Sequence, residues 1–154
     1  KYPNVRFQLL GPRGVENRSA IAESRIDEWQ EEGVVDYLGE TDNVASFIKS
    51  ACCVVLPSYR EGTSRVLLES AAMCRPLIAT DVPGCREVID EDITGSLCKP
   101  KDYVSLAQKM EMMVNLPHEN RVSMGKKGRE KIQNEFSEDI VCELYNQAIK
   151  SGIR

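Results

Sequence analysis

Two carboxylates, Glu61 and Glu69, stand with seven residues between them in the stretch PSYREGTSRVLLES, Pro57 to Ser70. The apolar run Cys52 to Leu56 breaks at Pro57, a charged loop follows, and RVLLESAAM then favours helix through its Leu and Ala content. The loop through Gly62, Thr63 and Ser64 therefore leads to a helix N-terminus. Its first backbone N–H groups lack intrahelical partners and, with the helix dipole, favour an anion such as phosphate. Gly62 carries no Cβ to hold a ligand away. Glu69 projects from about the second turn, at roughly 1.5 Å of rise per residue, while Glu61 stands in the loop. Carboxylates only accept hydrogen bonds, so two of them flanking N–H donors suit a ligand anionic in the middle and rich in hydroxyls at both ends. A nucleoside diphosphate sugar has that order: ribose, phosphates, sugar. The same spacing also suits a plainer arrangement, in which Glu61 answers the helix dipole and Glu69 is a solvated helix residue.

Other residue sets are weaker. Asp90-Glu91-Asp92 has the look of a carboxylate pair for a divalent cation, but it sits in a turn before ITGSL, and no metal ligand is assigned. His118 follows Pro117 at a helix start without an acid partner or nucleophile, which suits a surface or cap residue over a general base. Gly11-Pro12-Arg13-Gly14 lacks the spacing of a dinucleotide fingerprint; it reads as a plain turn before it reads as a cation, Arg13, beside a phosphate pocket. GKKGREK, Gly125 to Lys131, is the one basic cluster, and a solvated helix face suits it better than contact with anionic lipid.

The elements that must carry these residues alternate. VRFQLLG (Val5 to Gly11), VVDYLG, ACCVVLP (Ala51 to Pro57) and PLIATD are short apolar runs ended by Gly, Pro or Asp, as expected of parallel strands buried on both faces. Between them Ala22, Ile26 and Trp29, then Val44, Phe47 and Ile48, recur at helical spacing. Strand and helix in turn predict right-handed crossovers in an α/β, Rossmann-like doubly wound parallel sheet with flanking helices, whose ligands bind beyond the strands' carboxyl ends. The functional loops are then Gly11 to Ser19, Leu38 to Asn43, Pro57 to Ser64 and Asp81 to Arg86. After Pro100 the strands stop and a helical tail is expected. Its stripe of Tyr103, Leu106, Ala107, Met110, Met113 and Val114 is read as core. A polar helix over Glu119 to Glu135 follows, then a last helix capped by Ser137 with Ile140, Val141, Leu144, Tyr145 and Ala148 on one side.

A chain of 154 residues suits a single domain, able to bury roughly two thirds of its unfolded surface. With 42% hydrophobic and 29% charged residues it reads as globular, and no apolar run is long enough to span a bilayer. The net charge of −4 argues against a partner whose many phosphates must be neutralised, so no nucleic acid is expected. Cys52, Cys53, Cys74, Cys85, Cys98 and Cys142 form no C-x-x-C pair and lie mostly in apolar segments, which predicts reduced, buried thiols in a cytoplasmic protein. No secretory leader precedes Lys1, and the chain reads as beginning mid-protein.

VDYLG, PSYREGTSRVLLESAAMCRPLIATDVPGCREVI and GSLCKP together resemble the retaining, two-domain GT-B glycosyltransferases grouped with sucrose-phosphate synthases, glycogen synthases and bacterial polysaccharide glycosyltransferases. EGTSRVLLE followed by RPLIATDVPGCREV is most similar to enzymes that assemble capsule, O-antigen or related lipid-linked surface glycans. The resemblance implies the C-terminal domain that binds a nucleotide-sugar, a UDP-sugar by expectation. By the family's E-x7-E motif, Glu61 is the candidate catalytic residue and meets hydroxyls of the transferred sugar, while Glu69 binds the ribose hydroxyls. Backbone amides of Gly62, Thr63, Ser64 and Arg65 face the sugar and diphosphate. Leu38 and Thr41, in LGETD, fall near the nucleobase.

The resemblance also implies that the nucleotide-sugar is a substrate, with no cofactor and no obligatory metal. The acceptor, a saccharide or lipid-linked saccharide, meets an N-terminal domain that this sequence lacks, and the full-length protein touches the inner face of the membrane peripherally. The acceptor hydroxyl attacks from the face the phosphate leaves, and no residue here stands out as its general base. The sequence departs from the pattern in lacking the first strand-helix unit with its basic pair, so the chain alone is expected to be inactive. Cys74 and Glu91 replace common glycines, which puts local packing in question. Two rival readings remain: a non-catalytic doubly wound module that binds a nucleotide or a protein, and a GT-B-fold sugar-nucleotide epimerase.

Overall fold

The computed structural model describes residues 2–15 and 20–152, without the side chain of residue 141. Positions 16–19 of the first expected loop, and Val141 of the last apolar stripe, therefore lie outside the described residues. The chain divides into two compact units, Lys1–Val44 and Ala45–Arg154.

In the first unit β1 (Gln8–Leu9) pairs parallel with β2 (Asp36–Tyr37), Gln8 opposite Asp36 and Leu9 opposite Tyr37, and α1 (Glu23–Glu31) makes the crossover. Ile26 is its buried residue, Glu23 places a carboxylate in the first turn, and the helix stops where Gly33 takes φ +69° and donates to the Gln30 carbonyl. Its strands are half-covered: Gln8 and Asp36 are exposed, so the expectation of burial on both faces fails here. Arg13 locks this unit, donating to Asp27 and Gln30 at 2.6 Å each while its guanidinium lies 3.8 Å over the Tyr37 ring. The Gly11–Gly14 turn thus holds a structural arginine.

The second unit contains α2 (Val44–Ser50, all but its first residue), β3 (Val54–Leu56), α3 (Arg65–Ala72), β4 (Leu77–Thr80), β5 (Gly95–Cys98), α4 (Tyr103–Asn115), α5 (His118–Glu135) and α6 (Glu138–Gly152). Its sheet runs β3-β4-β5, parallel throughout. Central β4 is buried along its whole length, and its alternation sends Leu77 and Ala79 into one cluster with Leu67, Ala71, Val88 and Ile132, and Ile78 into another with Met113 and Met124. Both faces of this sheet are covered, as an α/β sheet requires.

Four expectations are corrected. β5 is a strand that the sequence does not announce: GSLC lacks the usual β-branched signal, yet Ser96 within it and Thr94 just before it are buried, Thr94 Oγ1 accepting from the Asp90 amide and Ser96 Oγ donating to Asp92 Oδ1. No helix follows β4, because Pro83 and Gly84, the latter at φ +85°, turn the chain into successive bends up to Val88. Tyr103 and Ala107 are exposed, Tyr103 to 84%, so only Leu106, Met110 and Met113 of that stripe pack into the core, with Val114 half-buried. The thiols are free, but Cys52 and Cys142 are exposed; Cys85 and Cys98 alone are fully covered. Along α6, Leu144 and Tyr145 are 60% and 68% exposed.

Candidate functional site

The C-terminal ends of β3 and β4 release two loops, Pro57 to Ser64 and Asp81 to Arg86, on the same edge of the sheet. Ser64 begins α3 from an extended conformation (φ −73°, ψ 113°) with no capping bond from its side chain, and its carbonyl accepts the first helical bond from Leu68 at 3.0 Å. Helix formation here follows from Leu67 and Ala71, both fully buried against β3 and β4, with Leu68 half-covered alongside. The anchored apolar face leaves Arg65 and Glu69 on the open side. Arg65 is 89% exposed and Glu69 48%, with their side chains 3.4 Å apart one turn from each other.

Glu61 is half-buried at the base of the loop, Gly62 and Thr63 are exposed, and Ser64 is buried. The structure thus brings Glu61, Gly62, Thr63, Ser64, Arg65 and Glu69 together on one loop and helix start. The Ser64 amide donates to the Gly84 carbonyl at 3.3 Å, so this N–H already has an acceptor. Leu38 and Thr41 lie in the first unit: the Leu38 amide donates to Leu9, and the Thr41 hydroxyl accepts from the Asn43 amide at 3.0 Å.

Gly84 is the contact the sequence reading missed. A Cβ built on it would fall 1.8 Å from the Gly62 carbonyl oxygen and 2.7 Å from that of Glu61, and Glu87 Oε2 accepts from its amide at 2.6 Å. Beneath this contact lies Cys85, whose thiol is pushed up to about 11, first by burial and then by the nearby charges of Glu61 and Glu87. The only sequence signal was the Pro83-Gly84 pair, which marks a turn without saying what it touches. At the edge, Lys101, in left-handed conformation at φ +58°, sets its ammonium 5.8 Å from the Tyr59 ring centre.

The remaining candidates have structural work. Asp90 takes Lys131 at 2.8 Å, Glu91 takes Lys109 at 2.5 Å and the Leu97 amide at 2.6 Å, and Asp92 takes Ser96. Among the described residues no cluster of three or more His, Cys, Asp or Glu is placed to hold a metal ion. His118 is the exposed first residue of α5. The basic run divides: Gly125 and Gly128 are buried, Arg129 donates to the Ala72 carbonyl, Lys131 is paired, and Lys126 and Lys127 stay exposed. Among the described residues no helix is long and apolar enough to cross a membrane.

Comparison with known proteins adds context to this geometry. The profile of the family described as "Glycosyl transferases group 1" matches residues 1–131. A capsular polysaccharide biosynthesis glycosyltransferase, CapM of Staphylococcus aureus, is 28% identical over 153 residues, covering 97% of this chain and 40% of that protein. Sucrose-phosphate synthase from Thermosynechococcus elongatus superposes with a TM-score of 0.77 at 26% identity, over 94% of this chain and 38% of that one. Anabaena HepE, solved in complex with UDP, shares the fold with a TM-score of 0.85 at 16% identity, over 97% of this chain and 42% of its own. The chain spans a quarter to two fifths of the length of the curated relatives it matches.

Proposed function

The chain belongs to the glycosyl transferases group 1 family, with the α/β fold of a GT-B C-terminal half, and from that premise we propose that it binds the nucleotide-sugar, a UDP-sugar, for a retaining hexosyltransferase. One observation carries the reading: the loop Pro57 to Ser64 brings Glu61 to the uncapped start of α3, whose buried face turns Glu69 outward one turn further on. Ribose hydroxyls then bond Glu69, the sugar hydroxyls bond Glu61, and the diphosphate lies between them at the amides of Gly62, Thr63 and Arg65. At Ser64 a phosphate oxygen competes with the Gly84 carbonyl already in place.

As the bond between the sugar's anomeric carbon and the phosphate oxygen breaks, negative charge grows on the diphosphate. Fixed N–H dipoles at the helix start stabilise that charge without reorganising, and the reading takes the nucleotide-sugar as substrate with no obligatory metal or cofactor. HepE's complex with UDP supports the nucleotide. CapM's name supports a part in capsular polysaccharide assembly; a saccharide or lipid-linked saccharide acceptor, met at the inner face of the membrane, belongs to the same proposal. The acceptor hydroxyl meets the sugar through protein outside this sequence.

Calorimetric titration of the chain with UDP, GDP and a UDP-N-acetylhexosamine tests the reading. Selective binding of the uridine nucleotides is expected, weakened about ten- to hundredfold in Glu69→Ala, since a hydrogen bond to a charged group contributes ~1.5–3 kcal/mol. Equal binding by variant and parent would overturn it.

A further inference from the structure

Glu87 has no part in the ligand contacts assigned so far. Its carboxylate oxygen is 2.6 Å from the Gly84 amide, a charge-assisted bond, and it fixes a peptide held at φ +85°. That peptide is wedged against the opposite loop: the space a Gly84 Cβ would need is occupied by the carbonyls of Gly62 and Glu61 at 1.8 and 2.7 Å, and the Gly84 carbonyl accepts from Ser64 at 3.3 Å. Gly84 therefore meets the loop from Glu61 to Ser64 through both its Cα face and its carbonyl. Cys85 next to it is fully buried, so the turn has a fixed floor. The carboxylate that aims the Gly84 peptide also aims what the peptide touches.

We propose that Glu87 is a positioning residue that fixes the Glu61–Ser64 loop through the Gly84 peptide. The consequence for ligand binding rests on the nucleotide-sugar reading above. Gly84 touches the Glu61–Gly62 end of the site, whereas Glu69 is held independently by the buried face of α3. Loosening Glu87 thus disturbs the sugar end and spares the ribose end, a split that general destabilisation does not produce.

The test uses Glu87→Ala and Glu87→Gln in the whole chain, with amide hydrogen exchange, melting temperature, and titration with UDP and with a UDP-N-acetylhexosamine. In Glu87→Ala, exchange at Gly84 and Ser64 accelerates about tenfold, the UDP-sugar binds about tenfold more weakly and UDP stays within about twofold, as loss of one charge-assisted bond implies. Glu87→Gln, which keeps an oxygen acceptor, stays within about threefold of the parent throughout. Should Glu87→Ala fail to fold, Glu87→Asp, whose carboxylate is drawn back from Gly84, is expected to show the same split. Unchanged exchange at Ser64, or equal weakening of both ligands with a lowered melting temperature, would overturn the proposal. A parent that binds neither ligand, with Ser64 exchange still accelerated in the variant, would overturn the nucleotide-sugar reading and leave the loop coupling standing.

Discussion

Two glycines three residues apart on α5 should respond to alanine with opposite signs. In an unobstructed helix Gly→Ala stabilises by about 1 kcal/mol. At Gly128 the new methyl would sit 3.7 Å from Ala71 Cβ and 3.8 Å from the Cβ and carbonyl oxygen of Thr94, ordinary contact distances, so the helical gain survives. At Gly125 it would lie 2.0 Å from the Cys74 carbonyl oxygen and 2.6 Å from its carbon. Carbon and carbonyl oxygen need about 3.3 Å, so α5 must withdraw by more than an ångström from a backbone that cannot swing aside. Cys74 itself sits at φ +57°, a strained setting for a residue with a side chain. Overpacking of this kind costs about 1–3 kcal/mol, and contact with backbone places it near the top of that range. Less the helical gain, Gly125→Ala should destabilise by about 2 kcal/mol, and Gly128→Ala should stabilise by about 0.5–1 kcal/mol. Urea unfolding followed by circular dichroism, with unchanged slopes, reads both. A stabilising Gly125→Ala would refute the register of α5 against α3.

Two further outcomes follow from groups already described. The Cys85 thiol, raised from 9.0 to about 11 by burial ahead of the charges of Glu61 and Glu87, contributes stability that is complete below pH 9 and lost as pH rises through 11; melting temperatures should hold to pH 9 and then fall, with a shallower fall in Cys85→Ala. Lys109, raised by its bond to Glu91, acts in the same direction at still higher pH. In the first unit, Arg13→Ala removes two side-chain bonds and the stack on Tyr37, which should open the β1–β2 pair by about 1–2 kcal/mol and accelerate exchange of the Leu38 amide.

What the sequence disclosed and what it hid divide along the range of the interactions. β3 and β4 were legible because burial on one or both faces makes an apolar run, and α1, α2 and α4 because their apolar periodicity is written locally. The Glu61–Glu69 arrangement was legible for the same reason, since one loop and one helix turn hold it. β5 was hidden because its own Ser96 and the preceding Thr94 are buried yet polar, satisfied by bonds to the Asp90–Asp92 turn. The Gly84–Gly62 contact depends on β4 pairing beside β3, a fact carried by the sheet and by neither loop. Tyr103 kept helical spacing yet faces outward, since spacing names a stripe without fixing where its edge falls.

The nucleotide-sugar site is tested most directly by amide chemical-shift mapping of the labelled chain during titration with UDP and a UDP-N-acetylhexosamine. Saturable shifts are expected, centred on Gly62, Thr63, Ser64 and Arg65 and extending to Glu69, with the sugar adding to those at Glu61 and Gly84. Shifts centred instead on the concavity lined by Asp92, Asn120, Ser123 and Lys127, or none at saturating ligand, would contradict it.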